Sequence, residues 1–482
     1  MADAAIATDR SPSFLTRIAY GIGGAAEGVK NNGFDYFLLF YYSQILGVSP
    51  GLVSLALFIA LAFDAISDPV VGYWSDNLRG RLGRRHPFMY AALVPVALTY
   101  FFVWNPPAGL SGDALFPWLL AFVLMGRLSF TLFEVPHNAL AAELSSDYDA
   151  RTSLMAFRGF FAWVGGLSIQ ILLLFFLLRP SEDNPSGYFN LPGWHTYGFV
   201  ASCVIFIAVL ASAGGTHRHI PHLKPPPAKR KITLGKVFAE IFETLSNPSF
   251  RALFLATMFG LLATGISATL NNYINGYFWG FTTTQTAGLT VGVYVSAVIA
   301  LILAPIVGKS LGKKRGAIII GLLAFTIAPA PVFARLLGLM PENGTDLLYQ
   351  IVLVITVLDL ALIIAYQMLA AAMVADIVEE SELKTGRRSE GVFFAGISFI
   401  RKFSQAGGVF FASLIIAVAT ITPGAPPETV GEDALRTLGW GYAVTLLSVW
   451  MLMILCVSFY RISRDDHEKN LQALAEKRAE QA

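Results

Sequence analysis

Residues 51–77 read GLVSLALFIALAFDAISDPVVGYWSDN. From Gly51 to Phe63 the run holds no charged residue, and up to Trp74 the only acids are Asp64 and Asp68. A helix crossing a hydrocarbon core of about 30 Å needs about 20 such residues, so this stretch predicts a membrane span. At a rise of about 1.5 Å per residue, Asp64 sits roughly 20 Å from the Gly51 end, well inside the hydrocarbon. Asp68 is one helical turn further on and shares its face. A charge at that depth costs about 2.5–3.5 kcal/mol or more, so both carboxylates are expected to face a protein interior and to have a task there, with simple pairing to basic residues on neighbouring helices as the plain alternative.

Working outward, the rest of the chain has the same character. Its 482 residues are 55% hydrophobic and 14% charged, against about 25% charged in a soluble protein. The 20-residue rule gives twelve spans, near 17–46, 51–75, 87–105, 114–137, 155–178, 195–214, 249–279, 286–308, 315–336, 346–375, 389–418 and 437–460. The fold class is an all-α membrane protein. The polar N-terminus, MADAAIATDRSPSF, has no signal-peptide pattern, so the first span is expected to direct insertion. Cys203 and Cys456 lie in apolar runs and suggest neither a disulfide framework nor a zinc site. The net charge of +2 carries no nucleic-acid signal, and no cofactor motif is present.

Basic residues alternate from loop to loop. Arg79, Arg81, Arg84 and Arg85 follow the second span; Arg218, Lys224, Lys229, Arg230, Lys231 and Lys236 follow the sixth; Lys309, Lys313, Lys314 and Arg315 follow the eighth; Lys384, Arg387 and Arg388 follow the tenth. Opposite loops such as WNPPAGLSGDA, GLMPENGTD and TPGAPPETVGEDA contain no Lys or Arg. By the positive-inside rule both termini are expected in the cytoplasm of a cell with this protein in its inner (plasma) membrane. The Pro-rich basic stretch THRHIPHLKPPPAKRKITLGK reads as a linker. The expected division is a six-helix bundle over 1–215, a cytoplasmic linker over 216–247, a second bundle over 248–460 and a charged tail over 461–482. The two halves repeat: VGYWSDNLRGRLGRRH from Val71 and VGKSLGKKRG from Val307 both join a second span to a third. Parallel repeats of this kind suggest a carrier whose substrate site lies near the bilayer midplane.

More charges lie within spans. The first carries Glu27, Lys30, Asn31 and Asp35, where a Glu27–Lys30 pair within the helix is the plain alternative to a polar stripe facing a cavity. The fourth carries Arg127, Thr131 and Glu134 at helical spacing, followed by His137 and Asn138; the fifth opens with Arg158. Arg401 and Lys402 lie deep in the eleventh, and a cation there calls for a carboxylate such as the Asp64/Asp68 pair. Asn271, Asn272, Tyr273 and Asn275 can serve a polar ligand or each other. Two adjacent carboxylates repel, and a bound cation relieves that repulsion. Hard oxygens suit Na⁺, with Asp64 and Asp68 as ligands, and equally suit H⁺.

The string FDAISDPVVGYWSDNLRGRLGRRHPF resembles the glycoside–pentoside–hexuronide:cation symporters, a branch of the major facilitator superfamily that includes the melibiose permease. The match falls on Asp64, Asp68, Pro69, Gly83, Arg84 and Pro87. Further matches are MVADIVEESELKTGRRSEGVFFAGISFIRKF, from Met373, and EVPHNAL with RGFFAWVGG. The resemblance implies the major facilitator fold, with two pseudo-symmetric six-helix bundles and alternating access. It also implies cation binding by Asp64, Asp68 and Thr131, coupling through Lys402, substrate contacts from Glu134 and Arg158, and a cytoplasmic gate at Asp76, Arg84 and Arg85. The first-helix Lys-Asp pair of the permease falls here on Glu27 and Gly28, which leaves Glu27 and Asp35 as that helix's candidates. Two sugar-stacking tryptophans fall on Asn138 and Gln367.

The function implied is a symporter coupling Na⁺ or H⁺ entry to uptake of a glycoside, sugar or sugar acid. A lysophospholipid or other amphipath is the alternative substrate. A membrane-embedded enzyme or sensor is the reading from another class, but no nucleophile or metal constellation supports an enzyme. The expected partners are a sugar-like small molecule, a monovalent cation and the lipid bilayer, with no nucleic acid and a monomeric carrier.

Overall fold

The computed structural model describes residues 12–145, 147–223, 248–385 and 390–461. It is all-helical, 83% helix, with no strand among the described residues. Among the described residues twelve long helices follow in chain order: α1 Phe14–Asn32, α2 Pro50–Asn77, α3 His86–Trp104, α4 Phe116–Leu144, α5 Tyr148–Ile171, α6 Leu191–His217, α7 Pro248–Asn272, α8 Thr283–Leu311, α9 Lys313–Leu336, α10 Asp346–Thr385, α11 Glu390–Val418 and α12 Glu432–Ser458. These match the twelve expected spans. Ten segments are apolar and long enough to span a membrane by composition alone. α1, with Arg17, Glu27 and Lys30 in it, is not among them, and the apolar part of α11 that stands apart, Phe403–Val418, is short.

Local chemistry explains the ends. Ser13 caps α1 by accepting from the Thr16 N–H, and Thr282 with Gln285 forms a full capping box on α8. Proline stands in the first turn of α2, α3, α4 and α6, where a missing N–H costs nothing. Large apolar side chains such as Leu55, Phe58, Ile66, Val295, Val298, Leu301 and Ile302 are exposed along the helices. Such surfaces suit hydrocarbon and not water.

The chain forms two compact units, residues 1–229 with 422–426, and 230–421 with 427–482. Within the first, α1 packs on α5 and α6, α3 on α4 and α6, and α2 on α4. Within the second, α7 packs on α11 and α12, α9 on α10 and α12, and α8 on α10. Each pairing in one unit has its counterpart in the other. The repeat reaches single residues: the turns between α2 and α3 and between α8 and α9 both pass through a left-handed glycine, Gly83 at φ +68° and Gly312 at φ +77°. The chain beyond α1 ends in a π-helical turn, Tyr41–Ile45, and the chain beyond α7 in another, Tyr273–Phe278; each is followed by a left-handed glycine, Gly47 and Gly280.

Candidate functional site

Asp64 and Asp68 face α4. The Arg127 guanidinium donates to Asp64 Oδ2 at 3.0 Å, and one turn on the Thr131 hydroxyl donates to Asp68 Oδ1 at 2.9 Å. The four-residue spacing on α2 meets the same spacing on α4, so the two helices join in a two-rung ladder. Asp64, Arg127 and Thr131 are buried, and Asp68 is half-buried.

Beside this ladder the polar stripe continues on α1 and α4. Lys30 reaches Glu134 Oε1 at 2.6 Å and stands 5.0 Å over the Phe130 ring. Arg127 lies 5.6 Å over the ring of Phe34, one turn from Lys30. Glu27 Oε2 accepts from Arg158 Nη2 at 2.5 Å. The intrahelical Glu27–Lys30 pair offered as an alternative is therefore replaced by two interhelical pairs, because α4 and α5 each present an opposite charge to one of the two residues. Asn138, one turn beyond Glu134, has a buried Oδ1 with no hydrogen-bond partner among the described residues. Asp35 is half-buried in the π-helical turn Gly33–Phe37. Gln367 is exposed on α10 of the second unit and takes no part in these contacts. The side chain of Lys402 lies outside the described residues, so its coupling role rests on the resemblance alone.

Close backbone approach positions Arg158. A Cβ at Gly24 would lie 2.2 Å from the Arg158 carbonyl oxygen, and one at Gly28 would lie 1.8 Å from the Ala162 carbonyl oxygen. Small residues of this kind let membrane helices touch. The same contact explains the departure noted at Gly28: no side chain fits there, so an acid at that position is excluded and Glu27 supplies the carboxylate.

At the α2–α3 turn, Asp76, Arg84 and Arg85 come together as expected, around a residue that sequence reasoning missed. Arg85 binds Asp76 at 2.5 Å, Ser75 Oγ at 2.6 Å and Glu143 at 2.6 Å, and Arg84 binds Glu143 at 2.9 Å. Glu143 lies at the end of α4, 58 residues from Arg85 along the chain, and no sequence motif joins it to the basic turn. In the second unit Lys313, at the start of α9, binds Asp376 of α10 at 2.6 Å, so a salt bridge at this turn repeats as well.

His137, the one histidine inside an expected span without an evident partner, is stacked between Tyr20 and Phe133 and donates from Nε2 to the Tyr20 carbonyl at 3.0 Å. That is a packing role. Asn275 donates to Asn271 at 3.2 Å, so this pair is satisfied within its own helix.

Comparison with known proteins gives the family and the fold. The family described as MFS/sugar transport protein is matched over residues 19–464. A symporter of Synechocystis is 24% identical, over 96% of each chain. An inner membrane symporter of Escherichia coli is 24% identical, over 82% of this chain and 81% of the relative. A sodium-dependent lysophosphatidylcholine symporter of Danio rerio is 29% identical, over 37% of this chain and 34% of that one. Among solved structures, a bacterial homologue of the lysosomal transporter Spinster superposes with a TM-score of 0.60 at 14% identity, over 95% of this chain and 97% of that chain. At that identity the likeness shows the fold alone.

Proposed function

We propose a function from the premise that the chain belongs to the MFS/sugar transport protein family: it is a secondary symporter that couples entry of Na⁺ or H⁺ to uptake of a glycoside, sugar or sugar acid by alternating access. The observation that carries this reading is the α2–α4 ladder. Two carboxylates and a hydroxyl offer hard oxygens on facing turns of α2 and α4. A cation entering there relieves the repulsion between Asp64 and Asp68, so occupancy changes the energy of α2 against α4. The whole-length relatives named as symporters support coupling, and membership of a transporter family separates the chain from enzymes.

The pairs Lys30–Glu134 and Glu27–Arg158 are the substrate contacts in this reading. Each holds a donor and an acceptor ready for hydroxyls, and exchange of a salt bridge for substrate hydrogen bonds makes binding selective for polar groups. Two charge pairs of opposite sign also fit a zwitterionic headgroup, and the partial likeness to a lysophosphatidylcholine symporter favours that as the second reading. The carrier acts as a monomer in the inner membrane with both termini cytoplasmic. The test is uptake into proteoliposomes, with panels of labelled glycosides, sugar acids and lysophospholipids, under an imposed Na⁺ or H⁺ gradient. Concentrative uptake that vanishes with the gradient and in Asp68→Asn is expected. Uptake indifferent to both gradients would overturn it.

A further inference from the structure

The second unit contains a carboxylate that nothing above uses. Asp359 lies in the apolar run IVLVITVLDLALIIAY of α10. It is roughly 20 Å along the helix from Asp346 and roughly 25 Å from Asp376, deep within the span from either side. Its Oδ1 is buried and has no hydrogen-bond partner among the described residues. The helices packed on α10 are α7, α8 and α9. Their cationic residues, Arg251, Lys309, Lys313, Lys314 and Arg315, stand at helix ends, and Lys313 is held by Asp376. Arg335 ends α9, where it lies over the rings of Phe278 and Trp279, and Glu432, Asp433 and Arg436 lie in the opening turns of α12. The Tyr442 hydroxyl of α12 comes within electrostatic reach of the carboxylate, and Ser296 of α8 donates to the Val357 carbonyl, two residues before Asp359, at 2.9 Å. Tyr442 in turn is 3.3 Å from Ser267 Oγ on α7.

A carboxylate in such surroundings has two ways to shed its charge penalty: a neighbouring cation or a proton. No described cation reaches it, and one carboxylate with two hydroxyls offers a metal ion too few oxygens to replace its water. We propose that Asp359 is a proton-binding site of the second unit, distinct from the α2–α4 ladder. The carboxylate takes H⁺ from water to become a neutral carboxylic acid and returns it when the environment of α10 admits water. The use of that proton in transport rests on the symporter reading; its binding does not.

The experiment is infrared pH-difference spectroscopy on the purified, lipid-reconstituted full chain, with the proton itself as the probe. A protonated-carboxyl C=O band that titrates is expected, lost in Asp359→Asn, moved in Asp359→Glu and retained in Asp68→Asn. If Asp359→Asn does not fold, the Asp359→Glu shift carries the assignment. A spectrum in which neither substitution changes any titrating carboxyl band overturns the proposal. So does an Asp359 band that never changes with pH. Uptake that proves independent of any cation refutes the symporter reading and leaves the band unaffected, so the two failures are distinguishable.

Discussion

Asp64 and Asp68 differ by one turn of helix, and their replacement by asparagine is expected to have opposite consequences. Asp64 and Arg127 have side chains only 4% and 9% exposed. Removing one partner of a buried pair costs about 3–5 kcal/mol, because the survivor stays charged and buried. Asp64→Asn is therefore expected to lower stability severely, and Arg127→Gln likewise. Asp64→Asn combined with Arg127→Gln removes both charges, and is expected to cost less than the sum of the two single variants by a coupling energy of about 1–3 kcal/mol. Asp68→Asn keeps an oxygen for the Thr131 hydroxyl and loses only the charge-assisted part of that hydrogen bond, about 1 kcal/mol. Its cost falls on the cation instead. At about 4 Å and an effective dielectric of about 20, a unit charge contributes about 4 kcal/mol, or about a thousandfold in cation affinity. Thermal unfolding of the purified variants, with and without Na⁺ and across pH, separates the two effects. An Asp64→Asn protein that melts with the wild type, or an Asp68→Asn protein that keeps full cation-dependent stabilisation, would refute the ladder as described.

Gly28→Ala forces a methyl against the Ala162 carbonyl and is expected to cost about 1–3 kcal/mol, with Arg158 displaced; a lower melting temperature and weakened uptake check it, and wild-type behaviour of both contradicts the α1–α5 contact. Glu143→Gln leaves Arg84 and Arg85 without their shared carboxylate charge; faster thiol labelling of a cysteine placed at Ser75 is the expected sign of a loosened turn, and unchanged labelling counts against a latch. Exchanging the charges, Lys30→Glu with Glu134→Lys, is expected to restore stability lost in either single variant while substrate affinity stays at least tenfold weaker; recovery of full affinity would show that these residues do not touch substrate.

Twelve spans were legible because an apolar run long enough to cross a bilayer is a property of composition, independent of what the helix packs against. The Asp64/Asp68 pair and Thr131 were legible for a similar reason, since charge in such a run needs an explanation. What the sequence left open was pairing across helices. Arg127 stood in view as part of a stripe, but that it meets Asp64 is decided by helix rotation, which the stripe alone does not give. The shared four-residue spacing of 64/68 and 127/131 was the overlooked clue. Glu27 and Lys30 are neighbours on one helix, and only the positions of α4 and α5 assign them separate partners. Gly28 appeared as a lost acid and is a point of backbone contact. Asp359 escaped notice because it stands alone, whereas motif reading favours clusters.

The ion pairs of the first unit also bear on how the protein is made. Lys30 waits for Glu134, Glu27 for Arg158, and Asp64 for Arg127, so the earliest helices leave the ribosome with charges whose partners are not yet synthesised. Helices α1 and α2 cannot partition stably into lipid as single segments at low cost. They must stay near the translocon, or in contact with one another, until α4 and α5 arrive. Every pair then closes before the linker toward the second unit is translated. The first six helices thus hold both partners of these three pairs among themselves.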